Sequence, residues 1–279
     1  MEPALYIVST PIGNLGDMSR RGLQVLADVD VVAAEDTRRT GQLLSHEGIE
    51  RHLQPYHEHS GPAVAAALVE RIVQGGSVAL VSDAGTPTVS DPGYRLVRAV
   101  QDAGGRVVPV PGACAAIAAL SAAGLPSDRF AFEGFLPNRR EARRRRLEAL
   151  AASPLTLILY EAPHRLQATL EDMREIIGEH REAAIARELT KTFETIRRGT
   201  LGELRDWVDA DPNQRRGELV LLLGPAAQTP AAAVEPALGT LLVAMAEHMP
   251  PKRAAALLAD YSGLRKSQLY DYLLEQRGV

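Results

Sequence analysis

The chain is predicted to be an α/β protein of two successive units, residues 1–124 and 125–224, followed by a linker at 225–237 and a small helical unit at 238–279. Three observations carry this. Short apolar runs at 5–8, 29–34, 78–81 and 107–110 alternate with helical patterns, the signature of an α/β layer. A second series follows Gly124-Leu125-Pro126, with candidate strands at 130–134, 155–160, 183–187, 193–197 and 219–223. The stretch after Pro225 is rich in Ala and Pro without periodicity, which is linker composition.

The first series has room for a helix between several of its strands. In the second, only a short helix fits between 193–197 and 219–223, so that sheet is expected to be mixed rather than purely parallel. Beyond the linker, helices over 252–261 and 266–276 are joined by Ser262-Gly263-Leu264-Arg265. The spacing fits a helix-turn-helix that binds nucleic acid and equally a plain helical hairpin.

Composition narrows the class. With 46% hydrophobic and 24% charged residues over 279 positions, the chain is neither disordered nor fibrous and is long enough for large cores. Its net charge of −4 means that any nucleic-acid contact has to come from a local basic patch. Cys114 is the single cysteine, which excludes an intrachain disulfide and a cysteine-based zinc site and suits a reducing compartment. Met1-Glu2-Pro3 lacks the positive start of a signal peptide, and no apolar run approaches bilayer length. A cytoplasmic protein without membrane contact is expected.

Several strand ends carry candidate chemistry. The first strand runs into Ser9-Thr10-Pro11-Ile12-Gly13-Asn14-Leu15-Gly16-Asp17, where a first βα connection places ligands. Two glycines do not make the dinucleotide fingerprint, and no phosphate-cradling G-x-x-x-x-G-K-[ST] occurs, so NAD and ATP in those binding modes are excluded. After 78–81 comes Ser82-Asp83-Ala84-Gly85-Thr86-Pro87-Thr88-Val89-Ser90-Asp91-Pro92-Gly93. A plain turn needs four residues, so twelve crowded with Gly, Pro and acids read as a loop that holds a ligand. Glu35-Asp36-Thr37-Arg38 ends another strand; solvated loop charge is the alternative there. His57-Glu58-His59 supplies only two imidazoles, so no metal is expected; substrate contact or proton handling by His57 and Glu58 fits better. Finally, residues 138–146 hold six arginines and one glutamate, a local charge of +5. Unpaired like charges repel along a helix, and a phosphate backbone would relieve that repulsion. Arg139, Arg140, Arg143, Arg144, Arg145 and Arg146 are therefore candidate RNA contacts.

Taken in order, these motifs, together with Tyr160-Glu161-Ala162-Pro163-His164-Arg165, resemble the bacterial ribosomal RNA small-subunit methyltransferase I family, part of the tetrapyrrole-methylase-like class III group of S-adenosylmethionine enzymes. The likeness covers residues 4–224 and is less distinctive beyond. It implies 2′-O-methylation of a cytidine ribose in the decoding region of 16S ribosomal RNA within the small subunit, S-adenosylmethionine in a cleft between two α/β domains, and a homodimer. Carried over by residue, Asp83, Ala84, Gly85 and Thr86 correspond to the group's cofactor loop, with Ser82 and Ala84 replacing a Gly and a Pro. Pro111-Gly112-Ala113-Cys114-Ala115 resembles a Pro-Gly-x-Ser-Ser stretch, so Cys114 and Ala115 are expected at the cofactor, as is Pro11. Tyr160, Ala186, Arg187 and Leu219 would border the adenosine, although Leu219 reads equally as core.

Methyl transfer to a ribose hydroxyl is an in-line displacement dominated by alignment. Among strand-end groups able to take the proton or steady the oxyanion, namely Glu35, Asp36, Arg38, Glu58, Glu188 and Lys191, the residues assigned to catalysis are Asp36, Arg38 and Lys191. A methylase of the same group acting on a tetrapyrrole or a diphthamide precursor, and a non-catalytic RNA-binding factor with the same fold, are the alternatives.

Overall fold

The computed structural model describes residues 1–227 and 234–277. Residues 1–226 form one compact unit that contains both expected sheets, and 227–279 form a second.

In the first sheet, β1 (Ala4–Val8), β2 (Val31–Ala34), β3 (Leu53–Pro55), β4 (Ser77–Val81) and β5 (Val107–Val110) lie in the order β3-β2-β4-β1-β5, all parallel. Strands β2 and β4 are buried along their whole length, as continuous Val, Ala and Leu runs in a parallel sheet should be. Helices α1 (Arg20–Asp28) and α2 (Thr37–His46) cover one face through Val25, Leu26 and Leu44. The other face takes α3 (Pro62–Val73) and α4 (Tyr94–Asp102) through Leu68, Ile72, Leu96 and Val100. The chain leaving β1 turns toward the α1 face and the chain leaving its neighbour β4 toward the α4 face, which opens a crevice at the carboxyl ends of these two strands.

Two strand expectations shift. Strand β2 starts at Val31 because Val29 caps α1. The edge strand β3 has no counterpart in the sequence reading: it is three residues long and ends in Pro55, too short to show alternation.

The second sheet, β6 (Phe130–Phe135), β7 (Thr156–Glu161), β8 (Glu182–Arg187), β9 (Thr195–Thr200) and β10 (Leu219–Leu223), has the order β6-β7-β10-β8-β9. Only β6 and β7 pair parallel, so the sheet is mixed, as expected. Strand β9 starts later than predicted because residues 191–194 close a turn, Glu194 N donating to Lys191 O. On one face sit α6 (Arg140–Leu150), α7 (Leu166–Ile177) and α8 (Leu201–Ala210), the last opened by a reciprocal Thr200–Glu203 capping box. On the other face lies α5 (Ala115–Ala122). Although it follows the first sheet in sequence, its Ala116, Ala119 and Leu120 pack on Ile158, Ala184, Ala186 and Val220. Alanine on both sides permits that close approach and ties the two sheets into one body.

The arginine run does not stand unpaired, and here the expectation is corrected. Asp172 on α7 is 1% exposed and accepts from Arg140 Nε (3.0 Å), Arg143 Nε (2.8 Å) and Arg144 Nη1 (3.0 Å). Arg144 also pairs with Glu175, and Arg146 with Glu133. Arg143, 5% exposed, is part of the interior and presents no surface to a phosphate. The repulsion inferred from the sequence is relieved by acids from other elements.

In the second unit, α9 (Pro236–His248), α10 (Pro251–Ser262) and α11 (Lys266–Arg277) pack around Leu242, Leu258, Leu269 and Leu273. Helix α9 opens with Pro236 in its first turn, inside the stretch expected to be linker. Residues 228–233 of that stretch and the last two residues of the expected helical unit, 278–279, lie outside the described residues. Among the described residues no helix is long and apolar enough to cross a membrane.

Candidate active site

The crevice at the ends of β1 and β4 is closed by a two-residue bridge: Thr10 N donates to Gly85 O (2.8 Å) and Gly85 N to Thr10 O (3.0 Å). Thr10 Oγ1 donates to Ser82 O (3.2 Å), and the Thr86 hydroxyl donates to Ala113 O (3.0 Å) while Ser9 Oγ reaches it at 2.8 Å. These bonds join the chain ends of β1, β4 and β5. Beyond the bridge the 82–93 loop is strained, with Thr88 at φ 76° and Ser90 at φ 64°. Left-handed backbone at a β-branched residue is uncommon and concentrates at ligand sites.

A cavity of about 350 Å³ lies on one side of the bridge, between the two sheets. Ile12, Ala84, Gly85, Thr86 and residues 89–91 wall it from the first sheet, and Cys114 and Ala115 line it at the start of α5. From the second sheet come Phe135, residues 160–163, Ala186, Leu189 and residues 218–220. The Tyr160 ring stands edge-on to Phe132 and Phe135 at centroid distances of 4.9 and 5.6 Å, and its Oη accepts from Ala116 N at 3.2 Å. Burial pushes the Tyr160 phenol up to about 12, so it remains neutral.

The charged residues of the lining are Asp91, Glu161 and Glu218; it includes no Lys, Arg or His. Glu161 is occupied by Ala162 N (2.8 Å), Thr169 Oγ1 (2.6 Å) and Arg165 (3.1 Å). Glu218 accepts from Lys191 Nζ at 3.1 Å. Asp91 has no cationic partner among the described ion pairs, and burial pushes its carboxyl up to about 6. An aromatic-edged slot with one acid, Asp91, outside the described ion pairs suits a ligand with a flat apolar part and a positive charge.

A second cavity, of about 410 Å³, borders the same bridge. Thr10, Pro11, Gly13, Leu15, Ser82 and Asp83 line it, with Arg39, Thr40, Gln42, Leu43 and His46 from α2. Asp83 knits this side together: Oδ1 accepts from Asp36 N (3.0 Å), Oδ2 pairs with Arg39 (3.1 Å), and its own N–H donates to Glu35 (3.3 Å).

The expected cofactor residues therefore divide. Ala84, Gly85, Thr86, Cys114, Ala115, Tyr160, Ala186 and Leu219 meet in the first cavity, whereas Pro11 and Asp83 line the second. Arg187 lines neither; its guanidinium turns to Phe193 O (2.9 Å) and Thr195 Oγ1 (3.2 Å). Lys191 crosses between the sheets, its stem lying where a side chain on Gly13 would be and its ammonium on Glu188 (2.9 Å) and Glu218. Burial depresses that ammonium, but the two carboxylates outweigh it and raise its pKa. Asp36 caps α2 and binds Arg38, whose hydrogen bonds hold the carboxyl well below the usual range; the Arg38 side chain is 88% exposed. His57 and Glu58 sit on the exposed turn after β3 and line neither cavity. The sequence assigns no individual role to Asp91, Leu189 or Glu218, although all three stand within strand-end segments that it marks, 82–93, 187–191 and 217–219.

A family model described as Tetrapyrrole (Corrin/Porphyrin) Methylases matches residues 4–205, and one described as RsmI C-terminal HTH domain matches residues 232–277. Over 275 residues the chain is 54% identical to the ribosomal RNA small subunit methyltransferase I of Escherichia coli O157:H7, covering 98% of this chain and 96% of that protein. It is also 54% identical over 276 residues to the protein of that name from Pseudomonas aeruginosa, covering 98% of each. The chain belongs to the ribosomal RNA small subunit methyltransferase I family. Solved structures show how widely this family's fold is shared. A diphthine synthase aligns with TM-score 0.60 at 15% identity, over 79% of this chain and 90% of its own. A Thermus thermophilus uroporphyrin-III C-methyltransferase complexed with S-adenyl homocysteine aligns with TM-score 0.53 at 18% identity, over 78% and 96%. The two matched models fall on the two compact units of the chain, the first lying within 1–226 and the second within 227–279.

Proposed function

We propose that the protein transfers the methyl group of S-adenosylmethionine to the ribose 2′-hydroxyl of a cytidine in the decoding region of 16S ribosomal RNA, within the small subunit and as a homodimer. Family membership supports the rRNA methyltransferase reading, and the first cavity is the observation that carries the cofactor. Its aromatic edge and the Asp91 carboxyl in its wall fit a cationic nucleoside. Ala84, Gly85, Thr86, Cys114, Ala115, Tyr160, Ala186 and Leu219 would hold it.

Bound there, the cofactor supplies an electrophilic methyl group on a positive sulfur. The chain's own residues do the rest by position. The second cavity, across the Thr10–Gly85 bridge, receives the target nucleoside, with Arg39 and Asp83 at its wall. The 2′-hydroxyl would give its proton to solvent as its oxygen takes the methyl group, and Lys191, charged between Glu188 and Glu218 and packed on Gly13 at the wall of the second cavity, would favour the deprotonated oxygen. Asp36, held ionised by Arg38, is a weak base; it binds Arg38 rather than taking the proton. Arg139 and Arg145, exposed on α6 and at its cap, reach the phosphate backbone together with the outer faces of Arg140 and Arg146.

Incubating the protein with methyl-labelled S-adenosylmethionine and unmodified small subunits, then mapping the label, tests this. Label on one cytidine ribose is expected; label on a base, or none in rRNA, overturns it. In the same assay Lys191→Ala should slow transfer about 100-fold at saturating cofactor, and an unchanged rate removes Lys191 from the chemistry.

A further inference from the structure

Asp91 is a half-buried carboxyl that no Lys, Arg or His neutralises among the described ion pairs. It lines the first cavity, on the same loop whose first residues, Ser82 and Asp83, line the second. Asp91 therefore belongs to the loop that borders both cavities and is itself part of the wall of the first. The groups facing it sharpen the picture. Glu35, after β2, and Asp83, after β4, disfavour its ionisation; Tyr160, on β7, and Cys114, before α5, add no positive charge; and the lining's other acids, Glu161 and Glu218, already have partners. Burying a carboxylate among carboxylates is unfavourable until a cation joins it.

We infer that Asp91 is the counter-charge for the sulfonium of S-adenosylmethionine, and that the protein uses it to tell the charged cofactor from its neutral-sulfur product, S-adenosylhomocysteine. The inference rests on the cofactor reading above and adds a specificity residue to it. Both molecules carry the same adenosine and the same amino-acid end, so a residue that reads only the sulfur separates them. Once the methyl has left, the sulfur is neutral, Asp91 is again uncompensated, and the product is held less tightly. The carboxyl's ordinary protonation near pH 6 in the free protein gives a second handle. Only the ionised form attracts a cation, so the preference for the charged cofactor grows as pH rises through that value.

Isothermal titration calorimetry with S-adenosylmethionine, S-adenosylhomocysteine and sinefungin, which carries an amine cation in place of the sulfonium, tests the inference without requiring turnover. Asp91→Asn should weaken S-adenosylmethionine and sinefungin about tenfold and leave S-adenosylhomocysteine within about twofold. In the wild type the ratio of the two cofactor affinities should rise roughly tenfold between pH 5 and pH 7.5, a change that needs no variant to fold. Equal losses for all three ligands, or a ratio that is flat with pH, overturn the assignment, as does a variant that binds normally and loses only transfer rate, which would make Asp91 a proton acceptor. If the wild type binds none of the three, the cofactor reading itself fails, a result distinct from these.

Discussion

Two charge-rich segments, the loop 82–93 and the run 138–146, look alike in the sequence as ligand-holding features, and the structure separates them. In the loop, the polar groups are bound to one another and to the next strand ends, and one acid, Asp91, is left facing a cavity. In the run, Arg140, Arg143 and Arg144 converge on Asp172, which is nearly thirty residues or more away in sequence. What decides whether a charge is free to meet a ligand is the element that packs opposite, and neither composition nor spacing reports that. The difference is also one of backbone. The loop holds Thr88 and Ser90 at positive φ, whereas the run is regular helix, so strain marks the ligand site and charge density does not.

The comparison breaks most readily at Asp172. Asp172→Ala leaves the buried Arg143 without its acid, while Arg140 and Arg144 keep Glu175, and urea unfolding should show a loss of about 3–5 kcal/mol. A loss below about 1 kcal/mol would mean that the run is not built into the interior. The same residue sets an acid limit. Burial opposes ionisation of Asp172, but Arg143, Arg140 and Arg144 outweigh it and lower its pKa in the fold. Its contribution is therefore present above the ordinary carboxylate value of about 4 and is lost as pH falls below it. Wild-type unfolding temperature should drop steeply below that pH, and Asp172→Asn should flatten the slope.

On the loop side, Gly93→Ala is the sharper probe. Gly93 has φ 136°, and a Cβ there would stand 2.7 Å from Leu80 Cδ2 and 3.0 Å from Thr88 Cγ2. We expect about 1–3 kcal/mol of destabilisation and weaker cofactor binding by calorimetry, because the strained turn carries Asp91. Smallest in stability and most telling for function is the pair Arg139→Ala and Arg145→Ala. Both side chains are exposed, so unfolding should change by less than about 0.5 kcal/mol, while the salt dependence of rRNA binding loses roughly one unit of slope per arginine. An unchanged slope would remove α6 from the RNA surface.

Much of this was legible in the sequence. Apolar runs between turn formers marked nine of the ten strands, and the motif at each strand end marked where the crevice opens. Two kinds of information were not legible. Strand β3 is too short to carry periodicity, and β9 starts late because a turn at 191–194 consumes residues that read as strand. Side-chain direction is the other. Asp83 and Ala84 are adjacent in the chain yet face different cavities, and Arg187 sits at an expected strand end while its guanidinium caps the β8–β9 turn. The helical pair at the C-terminus was placed nearly to the residue because Gly263, at φ 72°, ends α10 as a left-handed cap.

The first cavity takes its walls from segments between Ile12 and Val220, nearly the whole of the first unit. No fragment of that unit owns the cavity, so any molecule bound there binds only the fully folded form. Ligand occupancy is thereby linked to global unfolding: at a concentration one hundred times its dissociation constant, such a ligand would raise stability by about 2.7 kcal/mol across both sheets at once. A thermal shift on adding cofactor is thus a report on the integrity of residues 1–226 as a single cooperative body.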